Sequence, residues 1–145
     1  MSRVERSALV RVPAEAMYAL VNDVAAYPRR FSWCEGSAVL QQAPGLMVAR
    51  LDLRMAGMRM SFTTRNLQEP GRRIDLQLVE GPFTSLTGAW EFVPLTDAAC
   101  KVSLTLDFEL AGRFLGGAMA SGFRSLADRL VDDFVAAARR EANPS

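Results

Sequence analysis

The stretch Leu51-Asp52-Leu53-Arg54-Met55-Ala56-Gly57-Met58-Arg59-Met60-Ser61-Phe62 reads as a β-hairpin that specifies its own register. A two-residue Ala56-Gly57 loop pairs Met55 with Met58, Leu53 with Met60 and Leu51 with Phe62, so one face is wholly apolar. The other face carries Asp52, Arg54, Arg59 and Ser61. Side chains alternate along a strand with a period of two, and a slip of one residue would mix the two sets. The hairpin therefore predicts a sheet with one buried side and one wetted side.

The same alternation spreads in both directions. Strands are expected at Cys34–Gln42, Leu46–Met55, Met58–Gln68, Arg73–Glu80, Thr84–Pro94 and Cys100–Leu110. Pro44-Gly45, Ala56-Gly57, Pro70-Gly71, Gly81-Pro82 and Thr96-Asp97 separate them as turns. Short links between evenly spaced strands predict an antiparallel meander. Upstream, Val4–Val12 reads as a further strand ended by Pro13, and Ala14–Asn22 as a short helix with Met17, Leu20 and Val21 on one side. Asp23 is read as the cap of a second brief turn, Val24–Tyr27, stopped by Pro28.

From Arg113 to Glu141 the period becomes helical. Leu115, Met119, Phe123, Leu126, Leu130, Phe134 and Ala137 recur at steps of three or four and form one apolar stripe. A helix of ~29 residues would be roughly 43 Å long at 1.5 Å per residue. Its apolar partner has to be the inner face of the sheet. The expected fold class is α+β: a curved antiparallel sheet of six to seven strands wrapped around a long C-terminal helix, with two short helices after the first strand. Residues 1–145 are read as one domain.

Composition narrows the chemistry. The 145 residues include no histidine. That excludes Ser-His-Asp and Cys-His nucleophile systems, His-ligated zinc and the commonest general base near neutral pH. The formal net charge of +1 supplies no overall field for DNA. Cys34 and Cys100 lack metal-site spacing and are expected as two buried thiols. Without an apolar N-terminal leader or a run of ~20 apolar residues, a cytoplasmic protein is expected.

A sheet of this width is broader than one helix, so curling around the helix can leave an apolar gap. The inward phase of the strands nominates Leu51, Leu53, Met60, Phe62, Leu76, Leu78, Phe83, Trp90 and Phe108 as ligand contacts. The helix adds Met119, Phe123 and Leu126, and the segment after the short helices adds Tyr27, Phe31 and Trp33. Met47, Met55, Met58, Met60 and Met119 suit adaptable packing, whether as plain core or as pocket wall. Two readings of the aromatic segment stay open: a lid through which a ligand enters, or a plug sealing one end of the core. Gly81-Pro82-Phe83 reads as a bend, and Gly116-Gly117 as either a hinge or a close helix–sheet approach. Two glycines early in that helix would cost ~1 kcal/mol each against alanine. Arg54, Arg59 and Arg65, with Arg29-Arg30 near the lid, either contact phosphates or form a solvated face balanced by Asp52, Glu69 and Asp75. Glu80, Asp107 and Glu109 are the carboxylates nearest the expected cavity ends. No metal site is expected.

One ordered series of residues has a wider meaning. Met17-Tyr18-Ala19-Leu20-Val21-Asn22-Asp23-Val24 is followed by Tyr27-Pro28, Phe31 and Trp33-Cys34. Phe62-Thr63-Thr64-Arg65-Asn66, Gly81-Pro82-Phe83, Leu86, Gly88, Trp90, Phe92, Pro94-Leu95 and Asp107-Phe108-Glu109 complete it. This series resembles the coenzyme Q-binding START-like family, in its bacterial branch of ribosome association toxins and polyketide cyclase-like proteins. The resemblance spans almost the whole chain. It departs at Ser32, where the family often has proline, and at the basic pair Arg29-Arg30.

The resemblance implies a helix-grip fold (START/Bet v 1-like) with a hydrophobic cavity. It implies non-catalytic binding of ubiquinone or a related isoprenoid lipid in support of respiration, with the lipid as guest and no cofactor. Its alternative is binding to the large ribosomal subunit that blocks subunit association. Transient contact with the inner membrane surface accompanies the first role. A polyketide cyclase or aromatase role ranks last, because the acid–base residues are lacking.

Overall fold

The computed structural model describes residues 2–55, 57–112 and 117–142. Its elements run β1 (Ser2–Val10), α1 (Ala14–Asn22), a 3₁₀ turn (Val24–Ala26), α2 (Tyr27–Arg30), β2 (Cys34–Ala43), β3 (Leu46–Met55), β4 (Met58–Glu69), β5 (Arg73–Glu80), β6 (Phe83–Thr96), β7 (Ala99–Leu110) and α3 (Ala118–Ala142). Seven strands form one antiparallel sheet in the order β1-β7-β6-β5-β4-β3-β2. The meander and the two short helices after the first strand are as the sequence predicts. The hairpin register is too: Met55 faces Met58, Leu53 faces Met60 and Leu51 faces Phe62. Gly57 takes φ 79°, a left-handed conformation that suits glycine in the tight turn.

Three readings need correction. β1 begins at Ser2 and ends at Val10, two residues earlier at each end than its pattern suggests. It pairs with β7 from Ser2↔Phe108 to Val10↔Cys100, so the partner strand and not the apolar pattern sets its ends. Pro28 does not stop a helix. It occupies the first turn of α2, where a missing N–H costs nothing, and Phe31 N still reaches Tyr27 O at 2.9 Å. Asp23 stands at the head of the 3₁₀ turn but makes no side-chain cap; its carboxylate accepts from Arg30 Nη1 at 2.9 Å.

The sheet curls through β-bulges that alternation alone cannot reveal. Of five shifts in register, three leave a strand with an extra apolar residue: Leu40 in β2, Val79 in β5 and Leu95 in β6. All three are more than half exposed, which explains apolar side chains on the wetted face. The opposite, concave face packs against α3. Phe123, Leu126, Ala127, Val131 and Phe134 form the buried stripe of α3, while Arg124, Asp132, Arg139 and Arg140 face outward. Arg113, Leu115 and Gly116 of the expected helix lie outside the described residues. Gly117 is exposed and precedes α3, its carbonyl accepting from Ser121 N at 3.2 Å, so it carries no helix-interior penalty. At Gly122 an added Cβ would lie 3.4 Å from Met55 Cβ, an ordinary packing distance. Cys34 and Cys100 are free, buried thiols. Among the described residues no helix is long and apolar enough to cross a membrane.

Candidate ligand cavity

Between the concave sheet and α3 lies a cavity of about 100 Å³. β3 contributes Ala49, Leu51 and Leu53, and β4 contributes Phe62, Thr64 and Asn66. Leu76, Leu86, Trp90, Leu104 and Leu106 line it from β5, β6 and β7. α3 supplies Phe123, Leu126, Ala127, Leu130 and Phe134, and the N-terminal elements supply Val24, Tyr27 and Trp33. Ligand pockets commonly enclose ~300–1,000 Å³. The closed form therefore has room for one ring, and a longer guest requires the walls to move.

Two aromatic clusters bracket the void. Phe123 meets Phe83 at 5.0 Å, Phe108 at 4.9 Å and Phe62 at 6.1 Å, all edge to face. In the other cluster, Phe31 stacks on Trp33 at 4.8 Å and meets Phe134 at 4.6 Å, while Tyr27 meets Phe134 at 5.4 Å. Such pairs add ~0.5–1.5 kcal/mol each beyond area burial. Gly81 makes the first cluster possible. Its φ of 152° and its approach to Phe62, where a Cβ would come within 2.6 Å of Phe62 Cβ, leave no room for a side chain.

The second cluster is held shut by polar ties. The Tyr27 hydroxyl donates to Val21 O, and burial pushes its pKa far above the ordinary tyrosine value. Trp33 Nε1 donates to Asp133 Oδ2 on α3 at 3.1 Å, and Arg54 N donates to Trp33 O at 2.8 Å. Arg30 reaches both Asp23 at 2.9 Å and Glu141 at 2.7 Å. Burial works against the Arg30 charge, but these hydrogen bonds outweigh it and raise its pKa. The aromatic segment is packed as a plug, fastened to α3 by Trp33 and Arg30.

Residues 10–135 match the family described as "Polyketide cyclase / dehydrase and lipid transport". The chain belongs to that family. Within the polyketide cyclase and lipid transport family it is 45% identical over 140 residues to the ribosome association toxin RatA of Vibrio cholerae, covering 97% of each chain. Its fold matches the Zhui aromatase/cyclase from Streptomyces sp. R1128 with a TM-score of 0.84 at 24% identity, over 99% of this chain and 96% of that one. It matches a START superfamily protein from Mycobacterium smegmatis with a TM-score of 0.74 at 24% identity, over 93% and 92%. The helix-grip, START-like architecture expected from the ordered residue series is the fold this chain shares with those two structures.

Of the nominated ligand contacts, Tyr27, Trp33, Leu51, Leu53, Phe62, Leu76, Trp90, Phe123 and Leu126 line the cavity. Phe31, Met60, Leu78, Phe83, Phe108 and Met119 do not; they pack behind it or toward its ends. Alternation identifies the inward face of a strand, but not how far along that face the void lies. The reading passed over Val24, Ala49, Leu86, Leu104, Leu106, Ala127, Leu130 and Phe134, which continue the same apolar phases. Thr64 and Asn66 line the cavity too, and their signal is polarity at the inward phase of β4 after Met60 and Phe62.

Arg30 is no free phosphate contact, because it is bound to Asp23 and Glu141. Arg59 pairs with Glu35 at 3.0 Å and Arg50 with Asp52 at 3.3 Å across the outer face. Glu80, Asp107 and Glu109 are absent from the lining.

Proposed function

We propose that this protein is a non-catalytic carrier that takes an apolar small molecule into the cavity beneath α3, and that the guest is ubiquinone or a related isoprenoid quinone whose handling supports respiration. The observation that carries this reading is an apolar void bracketed by two aromatic clusters, one of them tied shut by Trp33 and Arg30. Removing apolar surface from water contributes ~25 cal/mol per Å², which is ample drive for a prenyl chain. Admission of the chain requires the Tyr27–Trp33 segment to swing from α3. Such a carrier works in the cytoplasm and touches the inner membrane transiently to load. Turnover is disfavoured by the lining itself: among the described residues its one ionisable side chain is Tyr27, already hydrogen-bonded to Val21 O. An aromatase or cyclase would need an acid–base pair there. Extraction of the purified protein with organic solvent, followed by mass spectrometry, is expected to release a stoichiometric isoprenoid quinone. No co-purifying lipid together with no saturable quinone binding would reject the carrier.

A second reading rests on a separate observation. A relative sharing 45% identity over 97% of each chain is named a ribosome association toxin. Arg65 and Arg72 on the exposed surface have no ion-pair partner among the described residues and could meet ribosomal RNA phosphates. In that role the protein binds the large subunit and blocks subunit association. Sedimentation through a low-salt sucrose gradient with free subunits decides it: comigration with the large subunit supports the role, and retention at the top removes it.

A further inference from the structure

Among the described residues the cavity wall is apolar except at Tyr27 and Trp33, whose donors are already bonded to Val21 O and Asp133, and at one further place. Thr64 and Asn66 sit two residues apart on β4, on its inward phase, with 9% and 6% of their surfaces exposed. A core that served only packing would carry apolar side chains there, as β4 does at Met60 and Phe62. The Thr64 hydroxyl donates to Asn66 Oδ1 at 2.7 Å. That bond uses the acceptor end of the amide and fixes which way the amide points. Asn66 Nδ2 receives no protein partner among the described residues, yet it is not enclosed as an orphaned polar atom. A residue that lines the void thus keeps an amide donor free while its acceptor is engaged.

A buried donor of this kind has to be met by a water or by a guest. A water in an apolar cavity is held well only by two to four polar partners. Here Asn66 and Thr64 are the available pair, so a guest oxygen that replaces the water loses little. The volume of about 100 Å³ admits a single six-membered ring alongside that oxygen.

We infer that Asn66 Nδ2 is the anchor for a carbonyl oxygen on the ring of the cavity's guest, so that the site selects apolar molecules headed by a ketone or quinone over pure hydrocarbons. This rests on the carrier reading and deepens it. Thr64 acts as the positioning residue that orients the amide. The head enters first, with its oxygen on Asn66, and the chain trails toward the opening.

The test uses the full chain and three probes with the same decyl chain: decyl-1,4-benzoquinone, its hydroquinone and decylbenzene, each titrated by calorimetry. The wild-type protein is expected to bind the quinone up to ~10-fold more tightly than the hydrocarbon, the discrimination one interior hydrogen bond supports. In Asn66→Leu the quinone preference falls to about two-fold while decylbenzene binds as before. The double variant Thr64→Val/Asn66→Leu removes both polar partners and guards against loss of folding from a stranded hydroxyl. Comparing each probe between variants cancels differences in solubility. Equal wild-type affinities for quinone and hydrocarbon, or a preference that persists in both variants, would overturn the inference and leave the carrier reading intact. A wild-type preference for the hydroquinone would overturn it as well, since Asn66 would then present an acceptor. Failure of all three probes to bind saturably would sink the carrier reading together with the inference.

Discussion

Filling the cavity separates its role in binding from its role in stability. Ala127 lies on the inner side of α3, 1% exposed, with its side chain on the void. Empty interior volume costs about 24 cal/mol per Å³. For the observed volume of about 100 Å³ the full cost is about 2.4 kcal/mol. Ala127→Leu adds three carbons at the void, each worth ~0.8 kcal/mol when buried, again ~2.4 kcal/mol in total. Imperfect fit takes back ~1–3 kcal/mol. The expected net change is therefore between about −0.6 and +1.4 kcal/mol, a shift in Tm of a few degrees in either direction. Quinone affinity is expected to fall at least ~10-fold, because the ring's place is taken. Ala136→Leu, on the exposed side of the same helix, is the control and leaves both quantities unchanged. Thermal unfolding followed by circular dichroism and quinone titration on the same samples give the two numbers. Wild-type affinity in Ala127→Leu would show that the guest binds elsewhere. A loss of more than ~2 kcal/mol would show that the helix–sheet space has no room to fill.

Three further outcomes follow from the same structure. Trp33→Phe keeps an aromatic side chain but deletes the hydrogen bond to Asp133 and part of the buried indole; it is expected to cost ~1–3 kcal/mol, speed hydrogen exchange over residues 27–34 and quicken quinone release, measured by stopped flow. Gly81→Ala forces a Cβ against Phe62 at an unfavourable φ, and the expected loss of ~2 kcal/mol or more is read as a lower urea midpoint. Burial pushes the Cys34 thiol from 9.0 up to about 11 in the fold, so the unfolded chain gives up its proton first. That contribution to stability is complete below pH 9 and is lost as pH rises from 9 to about 11; urea midpoints across that window should fall, and Cys34→Ala should flatten part of the slope.

Much of this fold was legible because polarity, turn chemistry and period agreed at each element. β3 and β5 begin and end where their patterns do, and the β3–β4 pairing follows from three apolar pairs around one glycine turn. The failures have physical causes. Partner strands set the ends of β1, and a proline in the first turn of α2 has the same sequence signal as a terminator. Bulges at Leu40, Val79 and Leu95 leave no periodic trace, because one extra residue resembles a slip. Depth within the core was illegible for a related reason: Met60 and Phe62 share a face, but only Phe62 reaches the void. Thr64 and Asn66 were visible as polar residues on an inward phase, and their meaning needed the cavity beside them.

The most direct measurement is a methyl NMR titration of the leucine-labelled protein with decyl-1,4-benzoquinone. The carrier account predicts saturable shifts at Leu51, Leu76, Leu104, Leu106 and Leu126, which face the void, and none at the surface residues Leu9 and Leu95. Shifts confined to Leu9 and Leu95, or no saturable shift anywhere, would contradict it.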